Sequence, residues 1–177
     1  MVNNVSFEQI RGSLGSLLFL WSAIERAARE EVALAHDGQL PKSAHGIAAV
    51  LNTWEAAVVA RQDASPLRIL LASTLRAQLQ APLDIRNGVC HGLVGLSAAF
   101  GNRPATLTWE LNDIKRSITW DELQAAFSWL SKVPFAIGII SSSHQGSSGG
   151  RMTDNHENRE WWRTEYGLDL LEPKRSV

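Results

Sequence analysis

The stretch "ATLTWELNDIKRSITW", residues 105–120, alternates apolar and polar side chains in two runs, "ATLTWEL" and "KRSITW", with Asn112 and Asp113 between them. Alternation at period two marks a half-buried strand, and two such runs joined by short polar residues read as a β-hairpin. The patterned segments on either side follow the helix period. The reading of this stretch therefore decides between a pure helical bundle and a bundle with an inserted hairpin, and it favours the second.

Immediately downstream, Thr119 and Glu122 have the spacing of a capping box. They open a helix from Trp120 to about Lys132 with Leu123, Phe127 and Leu130 inward. Pro134 should kink or end it, and "FAIGIISSS" either continues the helix or packs as an apolar turn. Upstream lie three more helices. The first runs from Phe7 to about Leu34, with Ser6 as N-cap and a stripe through Ile10, Leu14, Leu17, Leu18, Trp21, Ile24, Ala28 and Val32. Gly38 and Pro41 mark a loop. The second runs from about Ala44 to Arg61, and the third from Leu67 to about Gln80 behind a Ser65 cap and Pro66. Pro82 then interrupts, and Asp84 is placed to cap a fourth helix carrying Arg86, Asn87, Cys90, His91, Val94 and Leu96.

The composition sets bounds on this architecture. A chain of 177 residues with a 45% hydrophobic share can bury a core without metal or disulfide staples. Seventeen basic against eighteen acidic residues give no overall field for nucleic acid, although a local cluster can create one. The single cysteine excludes an intramolecular disulfide and a CxxC knuckle, and a cytoplasmic location is expected. No apolar run was expected to reach the roughly 18 residues of a membrane span, Leu17–Leu20 and Val133–Ile140 being too short. The N-terminal residues show no basic region followed by an apolar one, so no signal peptide is expected.

The fourth helix carries the chemistry. In "DIRNGVCHGL", residues 84–93, Asn87 and His91 are four apart and share a face, about 40° from each other. Arg86 lies about 140° from His91 round the helix, so the two converge on one phosphate only with help from a second copy. Gly88 and Gly92 lack side chains along one ridge, which suggests that two copies of this helix cross there in an isologous homodimer.

Arg86, Asn87, Gly88, Val89, Cys90 and His91 spell RNxxxH, which resembles the Rx4-6H motif of the HEPN superfamily, placed, as in that family, on the helix after two or three long ones. The resemblance implies an up-and-down bundle of four to five helices over residues 1–140. The hairpin around 105–120 departs from the family pattern. The implied activity is metal-independent endoribonuclease cleavage, with no cofactor, at a composite homodimer site: the RNA 2′-hydroxyl attacks the adjacent phosphate. Arg86 would neutralise phosphate charge, His91 would move a proton, and Asn87 would orient the reacting groups. Such a protein would be a toxin or defence component, held by an antitoxin partner. The alternatives are a non-catalytic module of the same fold that holds RNA or a nucleotide, and a helical assembly protein in which the motif lines a dimer contact.

Other residues read more simply. Cys90 and His91 are adjacent, diverge by about 100° and form no dyad, so Cys90 is expected to pack inside. His144 and His156, with Asp154 and Glu157, match no compact metal-ligand spacing. Glu25 is a candidate acidic support for the site. From Ser141 the sequence is polar and reads as a flexible linker within a 141–177 tail, followed by a short docking element at "WWRTEYGLDLL".

Overall fold

The computed structural model describes residues 5–142 and 149–170. In chain order these form α1 (Phe7–Ala35), α2 (Ile47–Val59), α3 (Pro66–Gln78), α4 (Gln80–Gly92), β1 (Leu93–Ser97), β2 (Thr106–Leu111), β3 (Ile114–Thr119), α5 (Trp120–Leu130), α6 (Val133–Ser141), a 3-10 turn (Gly149–Met152) and α7 (His156–Tyr166). The protein is mainly helical, with one small antiparallel sheet.

Local chemistry accounts for most element boundaries. The Ser6 hydroxyl accepts from the Gln9 amide at 3.2 Å and the Gln9 side chain accepts from the Ser6 amide at 2.8 Å, which closes the start of α1. Gly38, at φ 83°, donates to the Ala33 carbonyl at 2.8 Å and ends it. Ser65 accepts from the Arg68 amide ahead of Pro66, and Thr119 and Glu122 form the predicted capping box. Pro82 does not interrupt: it lies in the first turn of α4, where no intrahelical partner awaits an N–H, so α4 begins at Gln80. Asp84 is consequently inside the helix, accepting from Gln80 Nε2 at 2.9 Å, and is not its cap.

The predicted hairpin is present. Asn112 and Asp113 take φ 53° and 63°, the left-handed pair that matches strand twist in a two-residue turn. The register pairs Thr106 with Thr119, Leu107 with Ile118 and Trp109 with Arg116. The expected continuation of α4 through Val94 and Leu96 is wrong. The helix stops at Gly92, and Leu93–Ser97 becomes β1, which pairs with β2 and gives a sheet of order β1-β2-β3. The backbone hydrogen bonds offered by β2 outweigh the weak helix preference of "LVGLS".

The chain divides into two compact units. The first comprises Met1–Ile24 and Gln80–Ser131; the second comprises Glu25–Leu79 and Lys132–Val177. The core of the first includes Ile10, Leu17, Trp21, Leu83, Leu107, Trp109 and Leu123. The core of the second includes Val50, Leu51, Trp54, Leu67, Leu71, Leu75 and Ile137. To that second core the C-terminal part adds Trp162, Leu168 and Leu170, all buried. The expected flexible stretch, Ser141 to Glu160, is thus corrected over residues 149–160, which fold into the 3-10 turn and the first part of α7 behind an Asn155 cap. The element expected to dock, "WWRTEYGLDLL", lies outside that correction, its described residues 161–170 completing α7 to left-handed Gly167 and burying Trp162, Leu168 and Leu170. The part of that expectation covering 143–148 lies outside the described residues.

Among the described residues one helical stretch, Trp120–Ser141, is long and apolar enough by length and composition to cross a membrane, with a mean hydropathy of 1.4. The reading of Val133–Ile140 by itself as too short is corrected to that extent. Asp121 and Glu122 open the stretch, Leu123 and Leu130 of α5 are buried, and so are Val133, Ala136, Ile137 and Ile140 of α6. These buried residues are the minority: 33% of the apolar stretch is buried, and Phe135 is exposed.

Candidate active site on helix α4

The sheet braces α4, and the two glycines are where it does so. A Cβ at Gly88 would lie 2.1 Å from the Trp109 indole Cδ1, and one at Gly92 would lie 2.2 Å from the Glu110 carbonyl oxygen. The ridge expected at a two-fold contact is therefore filled by the protein's own β2, which corrects the glycine argument for a homodimer. Close approach of the strand uses up the space that the missing side chains leave.

Away from the glycine ridge, from the far side of α4 round to its flank, the surface is polar and open. Arg86 and Asn87 are partly exposed, and Arg86 Nη1 donates to Asn87 Oδ1 at 2.9 Å. His91, one turn beyond Asn87, is exposed and makes no hydrogen bond or ion pair with any described residue. Cys90 is also exposed rather than packed inside, because it lies about 200° round the helix from Gly88 and so faces away from the sheet. The structure thus brings Arg86 and Asn87 into direct contact. His91 stands apart, neither ring nitrogen bonded to a described residue.

The sheet adds a residue that the sequence reading passed over. Arg116 lies directly across from Trp109. Cross-strand partners share a face, so Arg116 projects from the side of the sheet that carries α4. It is exposed, and no described residue pairs with it. Strand register was the one signal that could have found it.

Several other candidates have structural occupations. Glu25 is held by Arg29, whose Nη2 and Nε donate at 2.7 and 2.9 Å. Asp154 pairs with Arg159 and Glu157 with Arg151. The Arg159 hydrogen bond holds the Asp154 carboxyl below its ordinary value. Among the described residues no three His, Cys, Asp or Glu side chains cluster as metal ligands, and His144 lies outside them. Trp21, Trp54, Trp109 and Trp162 are core residues; Trp161 lies under the Arg151 guanidinium at 5.2 Å.

In comparison with known proteins, the chain matches no family model, no curated protein and no solved structure.

Proposed function

We propose that the protein is a cytoplasmic, metal-independent endoribonuclease of HEPN type whose site is completed when two copies bring their α4 helices together. The observation that carries this reading is the open polar arc of a braced helix: Arg86 bonded to Asn87, and one turn on an unengaged His91. Arg86 binds the scissile phosphate and offsets charge on its non-bridging oxygens. One His91 takes the proton of the attacking 2′-hydroxyl, and its counterpart in the second copy gives a proton to the departing 5′-oxygen, leaving a 2′,3′-cyclic phosphate and a 5′-hydroxyl. Asn87, fixed by Arg86, orients these groups. With the glycine ridge occupied, the contact between copies uses the arc of Asn87, Cys90 and His91. RNA is the substrate, and an antitoxin partner would act by covering this arc.

The test is incubation of RNA with the full chain in excess chelator. Cyclic-phosphate ends are expected from the wild type, with a fall of about 10²–10⁴-fold for both Arg86→Ala and His91→Ala. Oxidation should link two copies through Cys90, the only cysteine, if the helices face each other. A dimeric wild type that leaves RNA intact would refute catalysis; retained RNA binding in that case identifies a binding module. Cleavage that survives both substitutions moves the site elsewhere.

A further inference from the structure

Unit two contains a cavity of about 760 Å³, lined wholly by its own residues from the end of α1, from α2 and the turn after it, and from the end of α6. Its walls are largely apolar, formed by Leu34, Trp54, Ala57 and Val58. The volume is that of a site for a small organic molecule, a class of site that pairs apolar walls with a few placed polar groups.

Most polar groups around it are already engaged. Trp54 Nε1 donates to the Ser141 hydroxyl at 2.8 Å. Arg61 donates through Nε and Nη2 to the two Asp63 oxygens, at 2.8 Å each, and through Nη1 to the Ser141 carbonyl. Arg68 donates to the Ser142 carbonyl at 2.8 Å, so two arginines cap the end of α6. The Ser142 hydroxyl donates to the Ile139 carbonyl at 3.1 Å.

Two groups on the cavity wall remain open. His36 Nδ1 lies 2.9 Å from the Val32 carbonyl, which only accepts, so Nδ1 carries a proton and, in the neutral ring, Nε2 offers a lone pair. The Glu31 carboxylate makes no hydrogen bond or ion pair with a described residue. It is half-buried, and burial raises its pKa against the lowering influence of Arg61.

What the cavity lacks is hydrogen-bond donors, and an ammonium group supplies three and accepts none. The Arg61 guanidinium makes its directed contacts with Asp63 and acts on Glu31 only through space, so the Glu31 oxygens keep their hydrogen-bonding capacity for a ligand. A carboxylate ligand would find Arg61 occupied and Glu31 opposing it. We infer that this cavity binds a small amphipathic amine, its ammonium on Glu31 and His36 and its apolar body against Leu34, Ala57, Val58 and Trp54. The inference is independent of the RNA-cleavage reading.

Calorimetric titration of the full chain with n-octylammonium, octanoate and 1-octanol separates the head group from a shared apolar body. Saturable binding is expected with octylammonium about tenfold or more tighter than octanoate, the scale of a hydrogen bond to a charged group. Glu31→Gln should remove about that factor for the amine and leave octanol unchanged. Ala57→Trp should fill the cavity and abolish binding of the amine and the alcohol; if that variant does not fold, the Glu31→Gln comparison still decides. No saturable binding, octanoate the tighter ligand, or an amine affinity indifferent to Glu31→Gln would each overturn the inference.

Discussion

At Gly88 and Gly92 the placement of α4 depends on the absence of a methyl group. In an open helix Gly→Ala gains about 1 kcal/mol of helix propensity, so these substitutions oppose that gain to a collision. At Gly88 the neighbour is an indole ring in a buried residue, at 2.1 Å from the added carbon. At Gly92 it is a main-chain oxygen, at 2.2 Å. The ring is confined by the core around it, and the oxygen cannot move without displacing the strand. Gly88→Ala should therefore cost about 1–3 kcal/mol in urea unfolding, and Gly92→Ala at least as much, because backbone must shift. Trp109→Leu in the Gly88→Ala background should recover part of that loss; strictly additive effects would rule out the ring collision. The residue scale was only partly legible from the sequence. Spacing gave the angle between Arg86 and His91, a property of any helix. What lies against the glycine ridge depends on a strand some twenty residues later, and spacing within one helix has no access to it.

Among the elements, those with strong local chemistry were readable and those made by distant pairing were not. The hairpin showed through because both runs alternate and its turn residues accept left-handed φ. β1 was hidden: its five residues extend the apolar pattern of α4 without a break, and its only reason to be a strand is β2. The start of α5 was legible in full, and it carries a pH dependence. Glu122 accepts from the Thr119 amide at 2.8 Å and from its hydroxyl at 2.7 Å. These bonds hold its carboxyl below the ordinary 4.5, the amide contributing most. A carboxyl whose folded pKa is depressed stabilises above its unfolded value and loses that contribution as pH falls through the folded one. The first turn of α5 should thus be tight at neutral pH and fray progressively below about pH 4.5. The Thr119 amide proton shift followed by NMR should report it. Glu122→Gln, which does not titrate, should flatten that response; an unchanged acid transition in the variant would assign it to another group.

On the scale of the whole molecule, the polar sequence from Ser141 onward suggested a tail, yet its described part completes the core of unit two. The reason lies in how its polarity is spent. Asn158 is buried, and its Nδ2 donates to the Gly150 and Thr153 carbonyls at 2.8 Å each, tying the 3-10 turn to α7. Trp162 is fully buried and donates through Nε1 to the Arg151 carbonyl at 3.1 Å, so its ring is held both by packing and by a directed bond. The aromatic and apolar residues of "WWRTEYGLDLL" were legible as a docking element, but hydropathy does not say which core receives them, nor does it register the directed bonds that order the polar residues 149–160 ahead of them. If α7 is integral, Trp162→Ala should destabilise the protein by about 3–5 kcal/mol, the range for emptying a large aromatic site. Amide exchange should accelerate throughout α2, α3 and α6, because these share unit two with α7. A tail that merely rests on the surface predicts a loss below about 0.5 kcal/mol and exchange changes confined to α7 itself. Urea unfolding and exchange mapping of this one variant distinguish the two, since a core role requires both the large loss and its spread beyond the helix that carries the substitution.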